Sequence, residues 1–193
     1  MMLMARAVAL VAMLVLVSCV PTVKLAPTGA YNSPGYAVTL ARPWNDITPI
    51  VAPRTQNVRY LTIDGAQLNR LYLASLEPGQ SLVRPTNDAR RPKVRPDMSD
   101  DEAAAFVIES LAAIGYQAPQ SAALHPQNLG NLPGVRFDIA THTAEGLNVS
   151  GTALVARSGG TLHVLLFLAP SEHFYPAMSG EVETMFASAM PRT

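Results

Sequence analysis

The chain has 193 residues with 14 Lys and Arg against 14 Asp and Glu, a net charge of +0, and is 49% hydrophobic. Neutrality and a charged share of 15% argue against a nucleic-acid partner, and the length is that of a single domain with its own core. A single cysteine rules out a disulfide framework.

Met1 to Arg6 ends in a lone positive charge, and Ala7 to Val17 is apolar throughout. A charged start, a short apolar run and small residues before a cut describe a secretory signal over residues 1–18. The run is too short for a membrane span, which takes about 20 apolar residues, and it soon meets Pro21. It also lacks the polar face of an amphipathic core helix.

The cut carries a cysteine. Leu16-Val17-Ser18-Cys19 resembles the lipobox of bacterial lipoproteins. The resemblance implies a diacylglyceryl group on the Cys19 thiol, cleavage before it and acylation of the new N-terminus. Two or more acyl chains make a stable anchor where one is marginal. The protein is thus expected on a membrane facing the periplasm. Val20 after the cysteine implies the outer membrane by enterobacterial sorting. Lipidation leaves no thiol for metal binding or nucleophilic attack.

Residues 19–34, with Pro21, Pro27 and Pro34, read as a lipidated N-terminus and flexible tether, and residues 35–193 as one globular domain. Gly35 to Ala41 alternates as a strand and runs into Arg42-Pro43-Trp44, where Trp44 is expected to lid the core. Residues 45–57 read as a loop. Val58 to Ile63, Asp64-Gly65 and Leu68 to Leu76 form a hairpin whose Asp-Gly suits a two-residue turn.

Arg84, Arg90, Arg91, Lys93 and Arg95 lie among three prolines in a basic loop over 84–97. Arg90, Arg91, Lys93 and Arg95 form the candidate interaction surface, suited to acidic headgroups or glycan phosphates. The alternative is a solvated loop that balances the acidic helix start that follows. There Ser99-Asp100-Asp101-Glu102 is a capping box, Phe106, Val107, Leu111 and Ile114 make one stripe, and Gly115 ends the helix.

From Ala122 to Ala169 the pattern is of strands in an antiparallel meander. Leu162 to Ala169 is apolar enough for a strand covered on both faces. A last helix, about Ser179 to Met190, presents Val182, Met185, Phe186 and Met190. The expected fold class is α+β: an antiparallel sheet of hairpin plus meander packed against two helices. This order, with Arg42-Pro43-Trp44, resembles the PsbP-like fold, which implies a binding or assembly accessory without a catalytic centre.

No metal-ligand spacing occurs among His125, His142, His163 and His173, so no metal or cofactor is expected. His163 reads as a satisfied core histidine. On alternation, Asp138 and His142 share a strand face and Glu145 follows in the turn. The function expected is a non-enzymatic envelope module, monomeric by default, held through Cys19 and binding an envelope protein or glycan. The alternative is a periplasmic hydrolase using His142 with Asp138 or Glu145, for which no nucleophile stands in context.

Overall fold

The computed structural model describes residues 23–53, 55–85 and 91–192. The stretch read as a signal, Cys19 and Arg90 lie outside the described residues. Eleven strands and three helices are described: β1 Lys24–Ala26, β2 Gly29–Asn32, β3 Tyr36–Leu40, β4 Trp44–Asp46, α1 Thr48–Val51, β5 Val58–Thr62, β6 Arg70–Leu76, α2 Asp100–Ala113, β7 Gln117–Pro126, β8 Gly134–His142, β9 Asn148–Ser158, β10 Thr161–Pro170, α3 Phe174–Ala187 and β11 Met190–Pro191. An eight-stranded antiparallel sheet runs β1-β4-β5-β6-β10-β9-β8-β7, and a three-stranded one runs β11-β3-β2.

Strand β10 sits in the middle and divides the core. Leu162, Val164, Leu166 and Leu168 point to one side, where they meet Phe106, Val107 and Leu111 of α2. Leu165, Phe167 and Ala169 point to the other, against Met178, Val182, Met185 and Phe186 of α3 and Tyr36, Val38 and Leu40 of β3. Burial on both faces is why this strand is apolar without alternation. Helix α2 begins as its residues dictate: the Glu102 N–H donates to Ser99 Oγ at 3.2 Å, and the Ser99 N–H donates to Glu102 Oε2 at 2.8 Å. Trp44 is fully buried, its ring edge-on to Phe167 at 6.4 Å.

Four expectations need correction. The described part of the stretch assigned to a tether belongs to the domain. Strand β1 pairs with β4, β2 pairs with β3, and Ala26 enters the core. The domain therefore starts before residue 35. Short edge strands flanked by proline carry almost no local signal, because their partners lie elsewhere in the chain. The hairpin does not turn on two residues. Leu61 faces Leu71, and residues 63–69 form a wider loop in which Leu68 and Asn69 donate to the Gly65 carbonyl. The last helix starts at Phe174, and Met190 leaves it to pair with Ala37. The stretch assigned to a loop at 45–57 contains most of β4 and α1.

Strand β7 closes one edge of the large sheet and is exposed along nearly its whole length. Two register shifts and two left-handed alanines, Ala118 at φ 44° and Ala123 at φ 52°, break its line. Such bulges deny a straight hydrogen-bonding edge to another chain.

Candidate functional site

One end of the large sheet is left open, and four chain segments frame it. The first is the β5–β6 loop, locked by the buried Asn69. Its Oδ1 accepts from Thr62 Oγ1 at 2.9 Å and from the Ile63 N–H at 2.7 Å, and its Nδ2 donates to Asp64 Oδ2 at 2.7 Å. This loop delivers Arg70, whose Nε donates to the Ala66 carbonyl. The second is the end of α2, where Gly115 at φ 101° reverses the chain and sets Tyr116 beside the opening. The third is the β8–β9 turn, closed by Thr143 N–H donating to the Leu147 carbonyl at 2.9 Å. The end of β10, Leu168 to Pro170, forms the floor.

Between them lies a cleft of about 560 Å³. A second lobe of about 170 Å³ shares Ala66, Arg70 and Ile114 with it and adds Ile47, Val51, Tyr60 and Val83. Arg70 stands where the two lobes meet. Among the described residues no carboxylate comes within ion-pair distance of it. Its neighbours are phenols: Tyr72, Tyr116 and Tyr60. Burial pushes the Tyr116 hydroxyl up to about 12, so it is a neutral donor and acceptor at any ordinary pH. Burial likewise raises Tyr60, whose hydroxyl donates to the Leu82 carbonyl at 3.0 Å. A guanidinium has five N–H donors, and the bond to the Ala66 carbonyl leaves several for a ligand. The cleft therefore offers a fixed cation, phenolic hydroxyls and apolar walls, the usual equipment of a binding site.

Of the residues singled out from the sequence, Glu145 lines this cleft but faces its own turn. Its carboxyl is held below the usual carboxylate range by its own backbone amide and by the Thr143 side chain. Asp138 and His142 do lie on one face of β8. Four residues apart on an extended strand, they are separated by about 13 Å, so they form no pair. Arg95 pairs with Glu102 at 2.6 Å, which spends its charge on the first turn of α2. Arg91 and Lys93 line a separate hollow against Asn57 and Gln80. Among the described residues no three His, Cys, Asp or Glu side chains gather as a metal site would need.

Sequence reasoning missed Arg70. Its only local mark is a charge at the head of the apolar run Leu71-Tyr72-Leu73-Ala74, which reads equally well as a strand end.

No protein-family model matches the chain, and no curated protein matches it in sequence. Its structure is similar to that of the cyanobacterial PsbP protein (CyanoP) of Synechocystis, with a TM-score of 0.56 at 10% identity over 91% of this chain and 96% of that one. The fold is PsbP-like. It is similar also to the Ran-binding protein Mog1p of Saccharomyces cerevisiae, with a TM-score of 0.52 at 7% identity over 89% of this chain and 96% of that one. A Bacteroides thetaiotaomicron protein aligns with a TM-score of 0.49 at 9% identity, and this chain spans 50% of that protein's length. At such identities the PsbP-like likeness is one of architecture. The early strand before Arg42-Pro43-Trp44 and the helix closing the sheet are both present in this domain.

Proposed function

We propose that this protein is a lipid-anchored accessory of a bacterial cell envelope, a binding or assembly module without a catalytic centre of its own. It is held through Cys19 and engages an envelope protein or glycan in the Arg70 cleft. The observation that carries this reading is the cleft itself. A charged arginine without a carboxylate partner among the described residues stands there between two lobes, ringed by Tyr60, Tyr72 and Tyr116. Arginine and tyrosine are the side chains that most often dominate binding energy, and both are fixed here by a rigid sheet end. The lipobox at Leu16 to Cys19 supports the location. The Ran-binding protein Mog1p is an instance of this architecture serving as a binding module.

The experiment is photo-crosslinking in living cells from the anchored protein. A photoreactive side chain at Gln67, on the cleft, is compared with one at Leu124, on the β7 edge at the far side of the sheet. A discrete product from position 67 and none from position 124 supports the reading. Silence at 67, or the same products from both positions, contradicts it.

A further inference from the structure

Seven large hydrophobic side chains are exposed among the described residues, and four of them fall on two short segments. Val23 and Leu25, at 47% and 66% exposure, flank Lys24 at β1, and Ile50 and Val51, at 48% and 47%, sit on α1. The segments are neighbours in space. Lys24 pairs across from Asp46, and Asp46 Oδ1 accepts from the Thr48 N–H that opens α1 at 2.9 Å. Asp46 Oδ2 accepts from the Tyr31 hydroxyl at 3.2 Å, so this carboxylate is occupied from both sides. The patch is also fixed. Thr48 is buried and its Oγ1 accepts from the Tyr60 N–H at 2.8 Å, which holds the single turn of α1 against β5 with Ile50 and Val51 turned outward.

We infer that this patch docks on the bilayer that holds the Cys19 lipid, with Val23, Leu25, Ile50 and Val51 resting at the boundary of headgroups and acyl chains. The inference rests on the anchored reading above, and the length of chain outside the structure chooses the occupant. Lys24 is five residues from Cys19 and already paired in the sheet. Even fully extended, that connection spans no more than about 18 Å, so the β1 edge cannot leave the neighbourhood of the membrane. Apolar side chains buried about 5–10 Å into an interface are those of peripheral membrane contacts generally. Val51 also lines the smaller lobe of the cleft, so docking sets that lobe beside the headgroups.

Because lipid consumes the only native cysteine, a new cysteine can be labelled alone. Leu25→Cys, Ile50→Cys and Leu124→Cys variants of the full chain, extracted from membranes, receive an NBD fluorophore. They are then reconstituted in phosphatidylethanolamine–phosphatidylglycerol vesicles. Docking gives blue-shifted emission and quenching by doxyl-labelled lipid at positions 25 and 50, with water-like, unquenched emission at 124. Ile50→Asp should return the label at 25 to water while the acylated protein still floats with the vesicles. Water-like emission at 25 and 50 in an acylated, floating protein overturns the docking and leaves the anchor intact. A blue shift without doxyl quenching assigns the patch to a second protein copy and overturns it too. A protein without acyl mass on Cys19 that fails to float overturns the anchored reading, and the docking with it.

Discussion

Ser75 Oγ lies 2.7 Å from His163 Nδ1, across the β6–β10 pairing, and the same hydroxyl bonds the Pro34 carbonyl. A hydroxyl has one proton. With that proton on Pro34, the Ser75 oxygen must accept from Nδ1–H, which fixes the imidazole tautomer. The histidine is therefore a donor to this serine and not a base toward it. The arrangement clamps the turn before β3 onto the large sheet. It requires Gly35, at φ 76°, because a Cβ there would sit 3.1 Å from His163 Cε1 and closer still to Ser75.

Burial lowers the pKa of His163 from 6.5. In the unfolded chain it titrates near 6.5, so below that pH the unfolded state binds more protons than the folded one. The stability this histidine supplies is complete above pH 6.5 and is lost as pH falls toward its folded value. The thermal midpoint should be flat from about pH 7 to 8 and decline as pH falls below about 6.5. His163→Asn, whose amide can still donate to Ser75, should flatten that decline although it melts lower overall. Parallel profiles for the two proteins would contradict the assignment.

The capping box at Ser99 serves the α2 side of the core. Ser99→Ala should cost about 1 kcal/mol by leaving the Glu102 N–H unpaired. The denaturant midpoint is the measurement, and an unchanged value would mean that Glu102 and the first-turn carboxylates hold the helix start without the serine.

Cys19→Ala should abolish acylation, because only the thiol can accept the diacylglyceryl group, and should leave the signal uncut. The mass of the N-terminal peptide reports both steps. Exchange of residues 1–19 for an ordinary cleavable signal should release a folded domain with the melting midpoint of the detergent-extracted form. Aggregation of that product would mean that the lipid is part of the fold.

Much of the fold was legible because its signals are local. The apolar run of β10, the alternation of Tyr36, Val38 and Leu40, the box at Ser99 and the stripe of α2 each announce themselves within a dozen residues. The strands that escaped, β1, β2, β4 and β11, are three, four, three and two residues long and exist through partners that sequence periodicity does not name. The cleft was illegible for a related reason. Its walls come from around residues 66–70, 114–116, 143–149 and 168–170, and no short motif spans them. The face shared by Asp138 and His142 was legible from alternation, and the strand rise of about 3.3 Å per residue sets them too far apart along it to pair.

The most direct measurement is the dependence of the cleft crosslink on Arg70. In the anchored protein carrying a photoreactive side chain at Gln67, Arg70→Gln removes the charge between the lobes, and Arg157→Gln removes an arginine that pairs with Asp100 far from the cleft. Loss of a central arginine contact is worth about 2 kcal/mol or more, roughly a thirtyfold loss of affinity. Arg70→Gln should thus nearly abolish the product with its melting midpoint retained, while Arg157→Gln leaves the yield unchanged. Equal yields from a folded Arg70→Gln protein would contradict the claim that this cleft is where the partner binds.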